Sequence, residues 1–170
     1  MNRRTVTVFG GLIVVLAGVN GLVIHKEGVI ASGTRVFLEL APQDPRSLIQ
    51  GDYMRLDYAV ARELRRTEDT PPDGYVVLQL DERGVGSFLR LHDGGELSSS
   101  NEGTRSADRV NEVLLRFRTR KGGIRVGSGA LFFQEGHAEY FDDAKYGEIR
   151  VADSGTSVLI GLADEHLRTI

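Results

Sequence analysis

The sequence predicts a mainly β domain, a sandwich or partly closed barrel with one short helix, carried behind a single N-terminal transmembrane helix. Three observations predict it. An uncharged, mostly apolar run of 19 residues, 6–24, stands near the start. The remainder breaks into short segments of alternating polarity rich in Val, Leu, Phe and Tyr. Turn signals built on Gly, Asp and Pro recur roughly every eight to twelve residues, a spacing that favours a sandwich or barrel over βαβ units. The expected division is an anchor over 1–26, a linker over 27–33 and a β-rich domain over 34–170.

Nineteen helical residues span roughly 28 Å, close to the thickness of a hydrocarbon core. Arg3 and Arg4 precede the run and Lys26 follows it. The positive-inside bias then expects the N-terminus in the cytoplasm and the remainder outside it. A cleaved signal peptide is the rival, with Val29-Ile30-Ala31 passing as a cleavage site, but the apolar run exceeds a usual signal core. Within the run Gly10, Ala17 and Gly21 fall on one helical line, with Gly11 and Gly18 beside it. Ala17 and Gly21 have the small-xxx-small spacing that lets membrane helices approach closely. Asn20 lies at the edge of that face, placed to hydrogen-bond across such an interface.

In TRVFLEL (34–40), Val36, Leu38 and Leu40 share one face, a strand signal. A proline-punctuated connection follows. In DYMRLDYAV (52–60), Met54, Leu56, Tyr58 and Val60 share a face opposite Tyr53, Arg55 and Asp57. These two strands are expected to pair around the intervening loop. Residues 61–74 are highly charged and broken by Pro71-Pro72 and Asp73-Gly74, which reads as a solvated loop. YVVLQL and VGSFLRL form a hairpin through DERG, and residues 92–109 form a long polar loop. VNEVLLRFRTR and IRV make another hairpin through Lys121 and its glycines; ALFFQEG is a short strand. HAEYFDDAKYG (137–147) has helical character ending at Gly147, and EIRVA and SVLIGLA close the chain as a last hairpin.

Composition removes several function classes. Setting aside Arg3 and Arg4, 19 basic residues face 24 acidic ones, which argues against a nucleic-acid partner. The absence of cysteine removes disulfides, thiolate nucleophiles and cysteine-based zinc sites. His25, His92, His137 and His166 lack metal-ligand spacing, and His137-Ala-Glu139 lacks the cysteines that complete a deaminase signature. Glu135, Glu139, Asp142 and Asp143 form an acidic patch without the spacing of a calcium loop. A Ser-Lys peptidase would need a desolvated lysine, and Lys26, Lys121 and Lys145 stand in polar or membrane-adjacent surroundings.

Gly51, Asp52, Tyr53, Leu56 and Tyr58 spell G-D-Y-x-x-L-x-Y. Upstream stand Ala41-Pro42-Gln43-Asp44-Pro45-Arg46 and Leu48; downstream come Phe133-Gln134-Glu135-Gly136 and the closing GEIRVADSGTSVLIGLADEHL. On these residues the chain resembles the GDYXXLXY protein family over most of 34–166, with Gln50 where a basic residue would be usual. The resemblance implies a membrane-anchored bacterial protein whose relatives accompany multi-pass membrane proteins; it supplies no reaction and no cofactor.

The functional expectation is a non-catalytic accessory subunit in the bacterial inner membrane, with its domain outside the cytoplasm and an integral membrane partner. No cofactor or metal is expected. Candidate contacts are Gly10, Ala17, Asn20 and Gly21 in the membrane, and Asp44, Arg46, Gly51, Asp52, Tyr53, Arg55 and Asp57 around the motif. Alternatives are an extracytoplasmic ligand-binding or sensory module and an anchored Ser-Lys hydrolase.

Overall fold

The apolar run forms one long helix, α1 (Arg3–Ser32). The computed structural model describes residues 3–41, 53–67, 70–92, 111–120, 123–133 and 138–170. From Thr7 to Ser32 the helix is long and apolar enough to cross a membrane, and its apolar side chains lie exposed until Val29, which is buried. The segment expected as a linker, 27–33, instead continues the helix through Ser32. The Gly33 N–H caps it on the Val29 carbonyl at 2.9 Å. A side chain at Gly33 would press on the Val29 carbonyl and the backbone of Val151, so only glycine lets the helix end so close to the sheet.

Nine strands follow among the described residues: β1 (Thr34–Glu39), β2 (Tyr53–Arg55), β3 (Asp73–Leu80), β4 (Val85–Leu91), β5 (Glu112–Arg120), β6 (Gly123–Val126), β7 (Ala130–Phe132), β8 (Tyr146–Val151) and β9 (Ser157–Ala163). Seven make a sheet in the order β6-β5-β3-β4-β1-β8-β9, and β2 pairs with β7 apart from it. Among the described pairs only β1–β4 is parallel. The sheet curls into a half-barrel. Its curl brings the β8–β9 turn back onto β5, where the Arg116 N–H donates to the Gly155 carbonyl at 3.0 Å.

The expected hairpins at 75–91, 110–126 and 148–163 are present as β3–β4, β5–β6 and β8–β9. Three expectations need correction. The strand over 52–60 survives in the described residues only as β2, which pairs with β7 rather than β1; the link to the first strand is a single bridge, Leu40 to Tyr58. A helix, α2 (Ala59–Arg66), replaces the end of that strand and the start of the expected loop. Val60, Ala61 and Leu64 give it one buried face, short enough to be masked in the sequence by four charged neighbours. The helix expected over 137–147 is, in the described residues, a 3₁₀ turn at Ala138–Phe141, and Gly147 lies inside β8.

The inner face of the half-barrel carries Val36, Leu38, Val76, Leu78, Leu115, Phe117, Ile149 and Leu162. Met54, Leu56, Tyr58, Val60 and Leu64 cover it, so the shared face assigned to the first four residues is the buried one, although Val60 belongs to a helix. Tyr58 is the largest of the fully buried side chains. Its ring occupies the space a side chain on Gly147 would take: a Cβ there would lie 2.8 Å from the ring. Such overpacking costs typically 1–3 kcal/mol. Gly147→Ala is therefore expected to destabilise the domain by about 1–3 kcal/mol, read as a lower midpoint in thermal or denaturant unfolding.

Glu148 is the buried acid of the sheet. Its carboxylate accepts Arg35 Nε at 2.7 Å and the Thr169 hydroxyl at 2.9 Å, tying the C-terminus to β1 and β8. Burial alone would raise its pKa, but the Arg35 and Thr169 hydrogen bonds, with the charges of Arg35 and Arg150, hold it below the ordinary glutamate value. A lowered folded-state pKa means stability present above the unfolded value and lost as pH falls through the folded one. Glu148→Gln is accordingly expected to flatten the loss of thermal stability below about pH 4.5, measured as Tm against pH for both chains.

Candidate functional site

The motif divides between core and surface. Asp44, Arg46, Gly51 and Asp52 lie outside the described residues, as does Gln50. Tyr53 is placed by its backbone opposite Phe132 in the β2–β7 pair. Leu56 and Tyr58 face inward; the Tyr58 hydroxyl donates to the Ser128 carbonyl at 3.1 Å, and burial pushes its pKa well above the ordinary tyrosine value. The phenol thus remains a hydrogen-bond donor throughout the physiological range.

Arg55 is exposed beside the half-buried Asp57. Asp57 accepts Arg62 Nε at 3.3 Å and Arg65 Nη2 at 3.0 Å, while its backbone carbonyl accepts the Ala41 N–H at 2.7 Å. The carboxylate therefore staples the first and second turns of α2 to the motif strand. Arg55, Asp57 and Arg65 border a groove of about 290 Å³ closed on its other side by Ile124 and Arg125 of β6. Arg62 and Arg65 were not singled out in the sequence, because their segment reads as a loop there.

A larger cavity of about 560 Å³ adjoins it, and Arg125 lines both. Lys26 of α1, Arg116, Arg118 and Arg120 of β5, and Arg125 surround this cavity, with Gly127, Gly155, Thr156 and Ser157 at its small-residue side. Strand alternation explains the cluster: Leu115 and Phe117 point into the core, so Arg116, Arg118 and Arg120 point out together. The β5–β6 register sets Arg125 directly across from Arg118. The signal was present in the RFRTR segment, where three arginines recur at every second residue.

The membrane-helix candidates present a separate surface. Added Cβ atoms at Gly10, Gly11, Gly18 and Gly21 would meet nothing within 4 Å, and Ala17 is exposed among them. The Asn20 side-chain amide donates to the Leu16 carbonyl at 2.8 Å, along its own helix. Of the remaining candidates, Lys121, His137 and Glu135 lie outside the described residues, and Asp142 and Asp143 are exposed. Lys145 is not helical as expected: its backbone bonds to Leu40 and Ala163 at the entry to β8. Among the described residues no group of three or more His, Asp or Glu is placed to hold a metal ion.

A curled β half-barrel covered by Met54, Leu56 and Tyr58 and preceded by a long apolar helix defines the class of this chain. The GDYXXLXY protein family model matches residues 15–162, and the chain belongs to that family. Neither a curated protein nor a solved structure matches it.

The role of Asp57 is separable from the core. Partly exposed ion pairs contribute about 0–1 kcal/mol and weaken in salt. Asp57→Asn is expected to lower stability by about 1 kcal/mol or less, with the difference from the parent chain shrinking in high salt, measured by parallel denaturant titrations.

Proposed function

We propose that the chain is a non-catalytic accessory subunit of a membrane complex. In this reading α1 crosses the bacterial inner membrane with its N-terminus in the cytoplasm, and the half-barrel stands outside. The small-residue face of α1 seats against a helix of an integral, multi-pass partner. The observation that carries the reading is that α1 is a long apolar helix whose side chains lie exposed from Thr7 as far as Val29. Arg3 and Arg4 before the run and Lys26 after it support the orientation. Open space at Gly10, Gly11, Gly18 and Gly21 supports close approach of a second helix, because small residues bring membrane helices into van der Waals contact. The join to the domain supports a positioning role. Arg150 Nη1 donates to the Gly33 carbonyl at 3.1 Å, so the helix end is fastened to the sheet it carries.

Bulk on the packing face is the direct test. Gly21→Leu and Ala17→Leu are expected to reduce severalfold the recovery of a multi-pass chain co-purified from native membranes in mild detergent. Val19→Leu, on the opposite face of the helix, is expected to leave recovery unchanged. Equal recovery with all three variants would count against the accessory role.

A further inference from the structure

The cationic cavity lies where the membrane reading of α1 puts a lipid headgroup. Lys26 follows the last residue of the uncharged run, Ile24, by two positions, about 3 Å along the helix axis. A helix that buries that run in hydrocarbon places Lys26 among the headgroups. The same cavity wall carries Arg116, Arg118, Arg120 and Arg125. Five cations thus converge at one membrane-proximal point of a chain whose residues beyond Arg4 are net acidic.

Like charges held this close repel one another, and an arrangement of this kind is stabilised by an anion between them. Among the described residues none of the five takes part in an ion pair. Asp73 stands opposite Arg118 in strand register, and among the described residues no acid lines the cavity. Guanidinium groups match phosphate in planar, paired hydrogen bonds, and the hydroxyls of Thr156 and Ser157 supply further neutral donors. A volume of about 560 Å³ suits a phosphoglycerol headgroup with part of its glycerol backbone.

We propose that this cavity binds the phosphate headgroup of an anionic phospholipid from the membrane that holds α1. The inference rests on α1 being a membrane helix, not on the helix partner. A bound headgroup draws β5, β6 and the β8–β9 turn down to the bilayer surface, and so sets the face that the half-barrel turns away from it.

The test uses the full chain in neutral detergent. Short-chain phosphatidylglycerol, short-chain phosphatidylcholine and inorganic phosphate are titrated separately while thermal unfolding is followed. Phosphatidylglycerol is expected to raise Tm saturably and phosphatidylcholine is not, with the response weakening as salt rises. An Arg116→Gln/Arg118→Gln/Arg120→Gln chain is expected to need at least about tenfold more phosphatidylglycerol. These side chains are exposed, so the fold should survive their loss. A control chain with Arg66→Gln, Arg83→Gln and Lys145→Gln, all exposed elsewhere, loses the same charge and is expected to respond as the parent does. A shift with inorganic phosphate as large as with phosphatidylglycerol would overturn the lipid assignment in favour of a free anion. A parental response in the β5 triple variant, or no response to phosphatidylglycerol, would overturn the site. Gly21→Leu separates the two proposals, since it should keep the lipid response whatever it does to the partner. Stable insertion into phosphatidylcholine vesicles reads the anchor independently.

Discussion

The fold depends on one aromatic ring meeting one missing side chain. Tyr58 sits at the end of the motif, at the entry to α2, and its ring fills the space above Gly147 in β8 while its hydroxyl holds the carbonyl of Ser128. Three segments far apart in sequence are thereby fixed at one point: the motif segment, the segment after β6, and β8. A phenylalanine would leave the Ser128 carbonyl without that donor, and burial keeps the phenol protonated so that the donor persists. The final tyrosine of G-D-Y-x-x-L-x-Y is accordingly a structural element, and so is its leucine, since Leu56 is buried beside it.

That division explains what could be read from the sequence. Parity alone assigned Met54, Leu56, Tyr58 and Val60 to one face, and all four are buried, even though the strand ends at Arg55 and a helix begins at Ala59. A strand period and a helix turn happen to agree over so short a stretch, so the face was legible and the element was not. Three hairpins were legible because each joins alternating segments through glycine-containing turns. What escaped was tertiary. Only the sheet shows that Gly147 is a socket rather than a helix end, because its partner, Tyr58, is distant in sequence. The pairing of β2 with β7 was hidden for the same reason. The arginines of β5 were visible as an alternating set, but Lys26 joins them only through the way α1 meets the sheet.

Electrostatics organises the surface in two different ways. Around Asp57 and Glu148 charge is spent locally: Arg62 and Arg65 hold the first carboxylate and Arg35 the second, fastening one element to another. Around Arg116, Arg118, Arg120 and Arg125 charge is left unspent among the described residues, and the strand geometry keeps it pointing the same way. The first pattern stabilises the chain. The second leaves positive charge exposed at the surface.

The unbroken passage from α1 into β1 has a mechanical meaning. Between Lys26 and Gly33 there is helix, then a glycine that closes it, with no slack between. A flexible tether would let a domain sweep a hemisphere and sample partners at many heights. A stiff stub of about two helical turns does the reverse: with α1 in a membrane, as proposed, it would hold the half-barrel within roughly 10 Å of the lipid surface and couple its rotation to that of the helix. In that setting a turn of α1 about its own axis would become an equal turn of the β domain. The molecule is built as a bracket, and its reach is the length of that stub.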